Sequence, residues 1–75
     1  MHETSRAYYV WVARDKSGAL KLFNAKPFKW KWFSEWGGDF LGRLNPEDFP
    51  DVTWENSPQR MEMLLRKCND KQGST

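Results

Sequence analysis

Ser57-Pro58-Gln59-Arg60-Met61-Glu62-Met63-Leu64-Leu65-Arg66-Lys67, SPQRMEMLLRK, fits two periodicities, and the choice between them decides the fold class. At the helical period, Met61, Leu64, Leu65 and Cys68 fall at i, i+3, i+4 and i+7. Ser57 then suits the N-cap, Pro58 the first turn, and Arg66 and Lys67 the last. At the strand period, Met61, Met63 and Leu65 alternate with more polar neighbours. The segment 59–67 is therefore expected as a helix or a strand that packs on a sheet through Met61, Leu65 and either Leu64 or Met63.

On its C-terminal side, 69–75 is polar and expected to fray, as are residues 1–6, which leaves an ordered body over about 7–67 of a single domain spanning 1–75. Immediately upstream, Val52-Thr53-Trp54 reads as a short extended piece. Asn45-Pro46-Glu47-Asp48 offers a capping side chain, a first-turn proline and first-turn acids, which predict a short helical turn near 46–49 that Phe49-Pro50 closes. Gly37-Gly38 ends an earlier element. That element is Phe28-Lys29-Trp30-Lys31-Trp32-Phe33, whose strict alternation predicts a strand over 28–33 with Phe28, Trp30 and Trp32 inward and Lys29 and Lys31 outward. Lys26-Pro27 separates it from what precedes, because proline cannot donate to a ladder and restrains its neighbour.

The N-terminal third is the most legible. Tyr8–Arg14 is rich in β-branched and aromatic residues, which fit a pleated surface better than a helix. Asp15-Lys16-Ser17-Gly18 supplies a three-residue hairpin loop with glycine at its left-handed position, and 19–23 returns as the second strand. This turn sets the register: Arg14 opposite Leu20, Ala13 opposite Lys21, Val12 opposite Leu22 and Trp11 opposite Phe23. One face then carries Tyr8, Val10, Val12, Leu20 and Leu22 and is expected to form the core. The other carries Tyr9, Trp11, Ala13, Lys21 and Phe23. The expected fold class is α+β: a small antiparallel sheet of three to four strands, led by the 8–14/19–23 hairpin with 28–33 added, plus the helical turn and the C-terminal helix or strand.

Composition bounds the chemistry. A chain of 75 residues is near the lower size limit for a core without staples, and its five Trp, five Phe and two Tyr must supply much of that core. With Cys68 alone, no internal disulfide forms, and with His2 the one histidine, no Cys/His metal set assembles. No apolar run reaches the length of a signal peptide or a membrane span, so a soluble cytoplasmic protein without membrane association is expected. Charge is uneven: residues 6–33 carry +6, residues 34–58 carry −5, and residues 59–75 carry +2. That asymmetry suits either a basic binding face or two segments that neutralise each other.

The segments YYVWVARDKSGALKLF and FPDVTWENSP, with the KP between them, are similar to a recurrent pattern in small proteins of gut Bacteroidetes and their phages and mobile elements. The likeness covers about residues 8–65. It implies an antiparallel sheet and a strand after Ser57-Pro58, with no activity and no catalytic residue attached. It also suggests a role in binding and modulating a host protein.

Catalysis lacks its parts, since no nucleophile, base and orienting group can be assembled from a terminal His2 and a lone Cys68 beside Arg66-Lys67. No enzyme activity, cofactor or metal is expected; Glu47, Asp48, Asp51 and Glu55 lack the spacing of a calcium loop. The basic aromatic set Tyr9, Trp11, Lys21, Phe23, Lys29, Lys31 and Phe33 is the one partner-binding signal. Such a set can stack bases and follow phosphates, each stacked base contributing about 1–3 kcal/mol. Against this, Phe40, Leu44, Phe49, Val52 and Trp54 need burial and could cover Tyr9, Trp11 and Phe23. The balance favours a non-catalytic binding protein, monomeric or weakly self-associating, with an unidentified protein as partner and single-stranded nucleic acid as the alternative.

Overall fold

The structure, a computed structural model, describes residues 5–68; the expected fraying of 1–4 and of 69–75 concerns residues outside that range. Among the described residues six strands run in order: β1 (Ser5–Arg14), β2 (Leu20–Phe23), β3 (Phe28–Lys29), β4 (Trp36–Gly37), β5 (Phe40–Leu44) and β6 (Gln59–Arg66). A four-stranded antiparallel sheet has the order β5-β2-β1-β6, and β3 with β4 forms a separate two-stranded ribbon. The described residues contain no helix, so the fold is all-β and the α+β expectation is corrected.

Two local readings produced that error. Residues 59–66 are a strand because β1 offers them a continuous ladder from Ser5↔Arg66 to Val12↔Gln59, which satisfies their backbone and matches Met61 and Met63 to Val10 and Tyr8. The helical stripe was a coincidence of spacing. Near 46–49 the same residues that start helices make a turn: Asn45 Oδ1 accepts the Glu47 N–H at 3.1 Å, and Asn45 O accepts the Asp48 N–H at 2.9 Å. Ser5 and Arg6 also belong to β1 and do not fray from it.

The hairpin has the expected register, Trp11↔Phe23 through Arg14↔Leu20. Its loop closes with Asp15 N–H to Ala19 O at 2.8 Å and Gly18 N–H to Asp15 O at 2.9 Å, with Gly18 at φ 104°. Both faces of the sheet, however, are buried at their centre. On the aliphatic face Val12, Leu20 and Val52 form a core joined by Leu22, Leu44 and Met61. On the aromatic face Ala13, Phe23 and Trp36 form a second core joined by Trp11 and Trp54. A small chain thus encloses one sheet between two thin layers, which its large rings make possible.

Arg14 ties the cover of the aliphatic face to the sheet. All five guanidinium N–H groups are used: Nε to Val52 O (2.6 Å), Nη1 to Gly18 O (2.8 Å) and Pro46 O (2.9 Å), and Nη2 to Asp48 O (3.1 Å) and Phe49 O (3.2 Å). Its backbone N–H donates to Ser57 Oγ at 2.9 Å. Phe49, which these bonds hold, has φ 47°, a strained value for a bulky residue that only such restraint sustains. Thr53 and Asn56 bond each other reciprocally, and the chain turns there so that Val52 enters one core and Trp54 the other.

Candidate interaction surface

The segment 28–33 does not form the expected third strand of the main sheet. Only Phe28 and Lys29 pair, with Gly37 and Trp36, and Trp30 N–H to Glu35 O at 3.0 Å closes a turn over 31–34. The expected two-faced arrangement is lost: residues 28–35 are all exposed, rings and lysines alike. Lys29 Nζ lies 4.4 Å from the Trp54 ring centroid and 5.3 Å from that of Trp36, over an edge-to-face pair 5.8 Å apart. Phe28 and Trp30, themselves edge to face at 5.1 Å, are about half exposed, while Phe33 and Trp32 are 62% and 80% exposed. Trp36 and Trp54 arrive from later in the chain and occupy the core positions that alternation assigned to the rings of 28–33.

Trp30 is held in place at this rim. A Cβ on Gly37 would lie 2.2 Å from Trp30 Nε1, so the indole rests directly on glycine backbone. Gly38, at φ 148°, lets the chain turn against Pro27. Phe40, half exposed, meets the buried Phe23 edge to face at 5.9 Å and continues the ring surface toward β5.

The seven residues singled out from sequence do not gather into one platform. Phe23 is 1% exposed and belongs to the core. The Lys21 side chain is 12% exposed; its Nζ is 2.9 Å from Asp15 Oδ2 and 3.4 Å from Glu35 Oε1, and Trp36 N–H donates to the other Asp15 oxygen at 2.8 Å. Lys29 lies over Trp36 and Trp54. Tyr9 is exposed beneath Arg60, whose guanidinium carbon is 4.7 Å from the ring, and half-buried Trp11 lies under Lys26 at 5.6 Å. Lys31, 5.4 Å from Trp32, and Phe33 belong to the rim. The sequence reading therefore missed Phe28, Trp30, Trp32 and Phe40 as exposed rings. Phe33, which breaks the alternation directly after Trp32, was the one local sign that the segment leaves the sheet.

Cys68 is exposed, and among the described residues no three His, Cys, Asp or Glu side chains gather closely enough to hold a metal ion. Comparisons with protein-family models, curated proteins and solved structures find no match.

Proposed function

We propose that the chain is a non-catalytic protein-binding domain whose main contact is the aromatic rim of residues 28–33 with Phe40. One observation carries this reading: rings of this size are left outside both cores, on a turn whose base is fixed by β3, β4 and Gly37. Exposed Trp and Phe side by side are the anchors that dominate protein interfaces, and presenting them on a held turn reduces the ordering cost of binding. The likeness of the hairpin and the FPDVTWENSP segment to small proteins of phages and mobile elements favours a host protein that this domain modulates. A cytoplasmic setting suits a chain whose single cysteine has no internal partner.

Nucleic acid is the weaker candidate. Lys21 is committed to Asp15, and Phe23 is closed to solvent, so the centre of the basic aromatic face offers neither a phosphate contact nor a stacking surface. The test is a tryptophan-fluorescence titration with mixed-sequence single-stranded DNA and RNA at low and at physiological salt. A flat response is expected. Saturable quenching that fades as salt rises would overturn the protein-binding reading in favour of base stacking on Trp30 and Trp32.

A further inference from the structure

Half of β1 has a partner on one side only. β2 ends at Phe23 opposite Trp11, whereas β1 continues back to Ser5 and pairs there with β6 alone. Backbone groups alternate in direction along a strand. Asp15 N–H bonds Ala19 O, and Arg14 N–H bonds Ser57 just ahead of β6, so odd-numbered residues of β1 point toward β2 and even-numbered ones toward β6. The N–H and C=O of Ala7 and Tyr9 therefore face the position beyond Phe23. Among the described residues nothing pairs with them there, because the chain leaves the sheet at Asn24, whose N–H bonds Asp39 O at 2.9 Å.

The two sides of this vacancy differ in chemistry. On the aliphatic face a shallow groove is walled by Tyr8, Leu41, Met63 and Leu65, with Val10 as its floor. On the aromatic face lie Tyr9 with Arg60 over its ring and Trp11 with Lys26 over its ring. The surrounding ribbon, residues 5–10 with 59–67, carries Arg6, Arg60, Arg66 and Lys67 against Glu62, a net +3.

We infer that the open edge of β1 at Ala7–Tyr9 receives an extended segment of another protein by strand addition, a segment whose residues alternate between apolar and acidic. Its apolar side chains enter the Tyr8–Leu41–Leu65 groove, and its carboxylates lie on the side of Arg60 and Lys26. Main-chain bonds to Ala7 and Tyr9 hold it, and alternation supplies the choice of partner. A second copy of the chain fits poorly, since pairing two β1 edges brings two +3 ribbons together. The inference shares with the proposed function the idea of a protein partner, but it uses a different surface and stands or falls separately.

The test uses the full 75-residue chain and the peptide acetyl-EVEIEVET-amide, with a scrambled, non-alternating peptide of the same composition as control. Amide exchange is followed residue by residue. In the free chain Ala7 and Tyr9 amides are expected to exchange fast while those of Tyr8 and Val10 are protected. At ~1 mM alternating peptide, exchange at Ala7 and Tyr9 slows by about tenfold or more, less so at high salt, and the control does nothing. Ala7→Pro removes an N–H that the β1–β6 ladder does not use, so it keeps the fold and weakens binding by about tenfold. Leu41→Asp, outside β1, weakens it as well. Protection of Ala7 and Tyr9 in the free chain, as from its own tail, would overturn the inference, as would equal binding of the scrambled peptide or absence of protection by the alternating one. None of these outcomes touches the rim, which the nucleic-acid titration tests independently.

Discussion

Arg14→Ala lowers the unfolding free energy by about 2–4 kcal/mol, since it strips charge-assisted bonds from carbonyls that are part-buried, those of Val52 and Gly18 foremost. That is a large share of the about 4–11 kcal/mol expected for a domain of this length. The loss spreads beyond the bonds themselves. Val52 is fully buried against Val12 and Leu20, and Arg14 Nε holds its carbonyl; without that bond the loop lifts and the aliphatic core opens. Phe49 also loses the restraint that sustains its positive φ. Arg14→Lys recovers little, because an ammonium cannot reproduce the fork that reaches the 15–19 turn and the 45–52 loop at once. Urea unfolding of the two variants checks this. A loss under about 0.5 kcal/mol for alanine, the usual range of a surface substitution, would mean that the guanidinium does not latch the loop.

Asp15→Ala costs about 3–5 kcal/mol, the range found when one member of a buried ion pair is deleted. Asp15 is 4% exposed and serves two partners, Lys21 Nζ and the Trp36 N–H. Deletion leaves the Lys21 ammonium with the more distant, exposed Glu35 carboxylate as its counter-charge and the Trp36 carbonyl, each at 3.4 Å, and removes the acceptor of the Trp36 N–H. Asp15→Asn separates the two roles. Its side-chain oxygen still accepts from Trp36 while the charge is gone, so it should fall between wild type and alanine. Near-ultraviolet circular dichroism of the Trp36–Trp54 pair, followed through the denaturant transition, reads both effects. If alanine and wild type unfold within about 0.5 kcal/mol of each other, the pair is not buried as described.

How much of this was legible in the sequence depended on the range of the interaction. The 8–14/19–23 hairpin was readable to the register, because a three-residue loop with Gly18 leaves the flanking residues one way to pair. The C-terminal strand was ambiguous, since Met61, Met63, Leu64 and Leu65 satisfy both periods and the arbiter is a ladder to β1 some fifty residues away. Asn45-Pro46 misled because the capping geometry that starts a helix also completes a turn. The rim was misread for a different reason. Alternation states that a strand could have one buried face, but which rings fill a core is a competition, and here Trp36 and Trp54 displaced Trp30 and Trp32. Arg14 looked like one more surface cation, and nothing local to it shows the five carbonyls that converge on it.

The rim's role as a protein interface is tested most directly by placing a photoreactive benzoylphenylalanine at position 32 and irradiating cells of the source organism that produce the full chain. The expected result is one dominant covalent adduct with a protein, sharply reduced by Phe33→Ala in the same chain. Crosslinking to nucleic acid, or no protein adduct despite a folded and labelled chain, would contradict a protein-binding rim.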